Sequence, residues 1–376
     1  DHEGAKKRED IQYILTGRVY LGEALLSLSA LWLFGLICIR GGKFAATIQT
    51  IMAFILFGGV LIGFYAVIST YGMSTFDFVP QFNPDVSQFS AVFGIVVLAP
   101  WAFAGFESIS QSSEGFNFST RKIFIILFLA ILAGALAYIF LGIIAISVLP
   151  EGYDNWLEYI KNLDNVSGLA GLPTLYAIKS LLGTNGLIIF ILTVLAAVIT
   201  GLVGNYIAAS RLIYALTRDN LLPAWFGKLN KFKTPKNAIL FIMLMSLPIP
   251  FLGRTAISWI IDVNTIGATI DYAYTSAVTL VLARRNGYLP AKITGLFGLL
   301  SSITFFMYFM IPNFLTVSAM STESYLILIG WSMLGFVFFR YIFKRDTQRR
   351  FGKSTIAWMS LLFLIFFTST MWIRQS

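Results

Sequence analysis

Ten apolar stretches divide this chain, at about 20–39, 44–70, 89–113, 122–149, 185–217, 237–253, 256–283, 291–316, 325–343 and 355–373. Most approach or exceed the ~20 residues a helix needs to cross a bilayer. Lipid offers no partner to backbone N–H and C=O groups, so such segments fold as helices that satisfy themselves. The expected fold class is therefore all-α, a polytopic helical membrane protein. Composition agrees: 57% of the 376 residues are hydrophobic and 12% charged, with mean hydropathy +0.78, where soluble domains carry about 25% charged residues. The sixth stretch is short and holds Pro248 and Pro250. The connection 150–183 has amphipathic character around Trp156–Leu163 and Leu172–Leu182, which places it on the outer surface rather than across the membrane.

Charge sets orientation. Lys and Arg gather at 40–43, 121–122, 218–236, 284–292 and 340–353, whereas the alternate connections carry only Lys161, Lys179 and Arg254. The basic connections are therefore cytoplasmic. The same dispersal accounts for the net charge of +9 without nucleic acid, and anchoring suffices for the basic loop 218–236. The one histidine, His2, and the one cysteine, Cys38, leave no His-clustered metal site and no internal disulfide; neither a metal nor a cofactor is expected. With the basic side inside, residues 1–19 fall outside with no apolar signal segment before them. Topology thus predicts that an odd number of spans precedes Asp1.

The third stretch is unlike the rest. Around LAPWAFAGFESISQSSEG, 98–115, it carries Pro100, Gly105 and the acid Glu107 near mid-depth. Proline removes a donor and glycine eases departure from helical geometry. A break at this depth survives only where it faces protein or a watery cavity, and an intramembrane acid is a functional candidate by default.

Several runs then resemble a known family. APWAFAGFES at 99–108 is similar to the broken sixth helix of the amino acid–polyamine–organocation (APC) permeases. SRLIYALTRDNLLPAW at 210–225 with TPKNA at 234–238 resembles their eighth helix and the loop after it, IRGGKFAATIQT at 39–50 their fifth, and 262–285, ending in LARR, their tenth. The resemblance covers roughly 18–345 and implies a five-plus-five inverted-repeat fold, N-terminally truncated by three helices. Residues 1–87 would be the remnant of the first repeat and 88–285 the second, with outer helices at about 150–183; 286–354 would be the eleventh and twelfth helices. The stretch within 355–376 is an extra membrane helix that the resemblance does not explain.

The resemblance implies secondary active transport of an amino acid or polyamine-like organic cation across the cytoplasmic membrane by alternating access, coupled to a proton or to sodium. Unwound carbonyls around Ala102, Phe103, Ala104 and Gly105 would take a substrate ammonium group, and Trp101, Phe103 or Phe106 would cover it; these rings otherwise pack between helices. Glu107 either braces the break or carries a proton, and bracing is favoured because a buried acid is stable once hydrogen-bonded or neutral. Asp271, flanked by Thr269 and Tyr272, is a candidate for coupling or specificity, or else bonds a neighbouring helix. Asp262, nine residues earlier, lies on the opposite helix face near the outer end, where it can snorkel. In sodium-coupled relatives of the fold, oxygens of the eighth helix bind the ion; Thr200 and Asn205 match that place, against a favoured reading as small-residue packing with Gly201 and Gly204. Some proton-coupled members carry a lysine in the fifth helix, but IMAFILFGG has none; Lys43 is a cytoplasmic anchor, and Glu23 and Glu114 reach the interface.

An enzyme is not expected, since no nucleotide fingerprint or nucleophile motif is present. A transporter-like sensor or scaffold is the alternative, suggested by the extra last span. Alone, this chain is expected to transport poorly, because the family's first helix supplies the rest of the site.

Overall fold

The computed structural model describes residues 13–14, 19–76, 78–106, 108–111, 119–253, 255–311, 320–345 and 352–374. Its helices are α1 (Leu21–Ile39), α2 (Gly42–Tyr71), α3 (Gln88–Val97), α4 (Ala99–Ala102), α5 (Ser108–Gln111), α6 (Thr120–Ile146), α7 (Trp156–Lys161), α8 (Pro173–Arg218), α9 (Lys236–Ser246), α10 (Thr255–Asn286), α11 (Leu289–Met310), α12 (Thr322–Arg345) and α13 (Gly352–Ile373), with short 3-10 turns between some of them. Among the described residues, strand pairing is limited to Tyr13–Ile14 with Val19–Tyr20. Eight helices are long and apolar enough to cross a membrane, and Gln88–Ala102 and Lys236–Leu252 are shorter apolar ones. Each of the ten expected stretches contains helix among its described residues, and the protein is a polytopic helical membrane protein.

Lipid-facing rings and aliphatic chains cover the outside: Phe54, Phe89, Phe124, Phe297 and Phe363 are all well exposed. Since lipid is as apolar as leucine, the bundle is held by close packing and interhelical hydrogen bonds. Three clusters carry the packing. The first joins α1, α8 and α9 through Leu31, Cys38, Val203, Tyr206 and Met243, and the Tyr206 hydroxyl donates to the Leu31 carbonyl at 3.0 Å. The second joins α2, α6 and α8 through Val67, Ile144, Ile178 and Phe190. Here backbones approach closely: a Cβ on Gly59 would overlap Thr193 Oγ1 and sit 2.8 Å from Thr193 Cβ.

The third cluster joins α3, α10, α11, α12 and α13 through Val97, Ile266, Tyr308, Leu328 and Ile365. Trp372 Nε1 donates to the Met310 carbonyl at 2.9 Å. The last span, unexplained by the resemblance, is therefore an integral wall of the bundle. In the same region Ser324 Oγ donates to Asp262 Oδ2 at 2.7 Å, with Ser321 Oγ 2.9 Å from Ser324 Oγ. Asp262 does not snorkel, because α12 brings a fully buried hydroxyl to it. Ser324→Ala should lower stability by about 1–3 kcal/mol by stranding a half-buried carboxylate, while adding Asp262→Leu, which removes both partners, should recover most of the loss. Thermal melts of the detergent-solubilised variants check this; equal melting of Ser324→Ala and the parent would refute it.

The Leu172–Leu182 stretch is helical from Pro173 and leads into the fifth span, the two helices within α8 meeting at a kink at Gly183, whose φ 64° and ψ −157° are non-helical and suit glycine. The short helix α7 lies within the expected Trp156–Leu163 stretch and is N-capped by Asn155, which accepts from Glu158 N at 2.9 Å. On the basic side, Asn230 Nδ2 and Thr234 Oγ1 both donate to the Ile39 carbonyl, at 2.7 and 3.0 Å. The basic loop therefore also caps the end of α1.

Candidate functional site

The broken span is built from three short helices. Ser87 caps α3 by accepting from Ser90 N at 3.1 Å. The helix stops at Val97, and Pro100, near the start of α4, supplies no N–H to continue it. One turn later the chain leaves helical geometry again. Phe103 has φ −103° and ψ 3°, and Gly105 has φ 113°, in the region that side chains other than glycine's rarely enter. After the break α5 resumes at Ser108.

Hydrogen-bond accounting locates what the break leaves open. Phe103 N donates to Ala99 O at 3.0 Å, Ala104 N to Trp101 O at 3.0 Å, and Ser108 N to Gly105 O at 3.1 Å. The Ala102 carbonyl accepts from the Tyr138 hydroxyl of α6 at 2.7 Å. No donor among the described residues reaches the carbonyls of Phe103 and Ala104. Backbone oxygens that lie at membrane depth call for a donor or a cation.

The rings divide. Phe103 stands edge-on to Tyr138 with centroids 5.8 Å apart, close against Gly134, so it packs. Phe106 lies 6.0 Å from Tyr272 of α10, which brings that helix to the break. Trp101 is 37% exposed and is the least committed of the three. The Ala102 carbonyl, one of those expected to face a substrate, is already engaged by Tyr138.

Asp271 precedes Tyr272 on α10 and is exposed; no hydrogen bond joins it to another of the described residues. Glu107 lies outside the described residues. On α8, Thr200 Oγ1 donates to Ala196 and Ala197 carbonyls at 3.0 and 2.9 Å, and Asn205 Nδ2 to Gly201 O at 2.9 Å. Both satisfy their own helix, which fits packing. The structure thus gathers Trp101–Phe106, Tyr138 and Tyr272 and leaves Thr200 and Asn205 to their helix. Tyr138 is the residue that sequence reasoning missed, although it is the single hydrogen-bonding side chain between Lys122 and Ile146.

The family model described as "Amino acid permease" matches residues 12–319, most of the chain. This chain belongs to the amino acid permease family. It is 26% identical over 274 residues to the branched-chain amino acid permease BcaP of Lactococcus lactis subsp. cremoris, a match covering 70% of this chain and 54% of that relative. The chain thus spans about half the length of the relative it matches. Family membership and eight helices able to span make it a multi-pass integral protein of the cell membrane. The family also points to a transporter rather than an enzyme.

Proposed function

We propose that this chain carries the cation-accepting half of an amino acid transport site at the break between α4 and α5. The observation that carries the reading is the pair of carbonyls at Phe103 and Ala104, which no donor among the described residues reaches, in a turn that Gly105 makes possible. A substrate ammonium group supplies what these oxygens lack, and charge-assisted bonds of this kind are strong in a water-poor site. Trp101 and Phe106 cover the substrate, Tyr138 fixes the Ala102 side of the turn, and Phe103 acts as packing. Asp271 is the coupling or specificity residue and Glu107 the brace. The substrate class is an amino acid or related organic cation, and branched-chain amino acids, which the relative's name carries, are the first to test.

Transport is secondary and proceeds by alternating access, with 88–285 as one inverted repeat moving against the remainder. It is ascribed to the whole protein, and the coupling ion is a proton or sodium. The test is uptake by the whole protein of radiolabelled leucine, isoleucine and valine, then a wider amino acid panel, into proteoliposomes under imposed proton and sodium gradients. Concentrative uptake under either gradient supports the reading. Retention of normal folding with no uptake across the panel under both gradients counts against it.

A further inference from the structure

A second feature lies away from the broken helix, on the face opposite the basic connections. A cavity of about 220 Å³ opens between the end of α2, the turn after it, the end of α6 and the loop that leads into α7. Tyr71, Phe78 and Trp156 give it aromatic walls; Ser74, Thr75 and Asp154 give it polar ones. The strap above it is fastened, since Trp156 Nε1 donates to the Pro80 carbonyl at 2.8 Å and Lys161 Nζ meets Asp85 at 2.6 Å. Small ligand pockets begin near about 300 Å³ for drug-sized molecules, so this one suits something smaller.

Its polar groups are unequally used. Ser74 Oγ donates to the Tyr71 carbonyl. The Thr75 hydroxyl is buried and finds no partner among the described residues; an unmade hydrogen bond there is costly. The Asp154 carboxylate is exposed, and no ion pair or hydrogen bond among the described residues engages it. The surrounding loop carries Glu151, Glu158 and Asp164 as well, and its lysine, Lys161, is already paired. The local field therefore draws cations. A single carboxylate is too few oxygens for a hard metal ion, which takes six or more, whereas three rings and one carboxylate suit an organic cation.

We propose that this cavity binds a small organic ammonium ion, with its charge at Asp154, its hydrocarbon part against Tyr71, Phe78 and Trp156, and Thr75 as the buried hydrogen-bonding group of the wall. This is a recognition site on the outer face, separate from the broken helix and independent of whether the protein transports.

The test reads the cavity directly. Cys38 is the native cysteine and is buried, so Ser74→Cys places a reactive thiol in the cavity wall. Labelling by a membrane-impermeant maleimide should slow saturably in butylammonium and not in butanol, which has the same hydrocarbon chain without the charge. Asp154→Asn in the same background should weaken the protection about tenfold or more, the effect of about 1.4 kcal/mol, and Thr75→Val should weaken it less. Asp154 is exposed and its carboxylate is unpaired among the described residues, so its variant should melt with the parent. Equal protection by butanol, no protection by butylammonium, or undiminished protection in Asp154→Asn would each overturn the proposal.

Discussion

Gly59→Leu is expected to abolish most of the folded protein. At this position α2 and α8 touch through backbone and Thr193, and even the first carbon of a side chain overlaps Thr193 Oγ1 and presses to 2.8 Å from Thr193 Cβ. Rotating Thr193 removes only the first clash, because Cβ moves with the helix. Four residues on, a Cβ at Gly63 would lie 2.8 Å from Ile178 Cδ1 and 3.1 Å from Ile144 Cδ1, so the helix cannot simply roll to escape. Overpacking typically costs about 1–3 kcal/mol and occasionally more, and a leucine here has no free space within reach. Gly59→Ala should be milder and should reveal the coupling: Thr193→Gly in that background should recover stability beyond the sum of the two single changes. Thermal melting followed by size-exclusion chromatography in detergent measures this. If Gly59→Leu melts like the parent, or if the Ala and Gly changes are simply additive, the close contact does not hold these helices.

Much of this architecture was readable because lipid removes choices. Every apolar stretch had to be a helix, so span number and approximate ends followed from hydropathy, and the break followed from Pro100 and Gly105 lying where a helix was obligatory. The amphipathic stretch before Gly183 is set off from the fifth span by a residue that leaves helical geometry, a position that glycine at φ 64° can occupy. Asp262 looked like a residue near an interface; only the arrival of α12 shows that Ser324 meets it. Pairings between helices distant in sequence leave no periodic signature, and for the same reason the contact of Tyr138 with Ala102 was not foreseen, although a lone phenol in an apolar span was a visible signal. Phe103 and Phe106 were equal candidates in sequence. They separate in the structure because one faces Gly134 and Tyr138 and the other faces Tyr272.

The same reasoning gives the activity test its sharpest form. Gly105→Ala should reduce uptake about tenfold or more while the bundle stays folded. The site has room for the methyl group, since nothing lies within 4 Å of a Cβ built there; the obstacle is φ 113°, a conformation that costs a non-glycine residue about 1–3 kcal/mol. The chain relieves that strain by turning the peptide units on either side, and these include the carbonyl of Ala104 that the proposed ammonium contact uses. A loss of about 1.4 kcal/mol at the transition state corresponds to tenfold in rate. Gly94→Ala is the matched control. It lies in helix α3 with equal space around it and no positive φ, so alanine should leave uptake unchanged and add slightly to helix stability. Initial uptake rates in proteoliposomes, normalised to folded protein, separate the two outcomes. Loss of uptake in both variants would mean that this span senses any added bulk; loss in neither would mean that the turn at Gly105 does not position the site. Loss in Gly105→Ala alone, with melting close to the parent, ties transport to backbone geometry in the break rather than to any side chain in it.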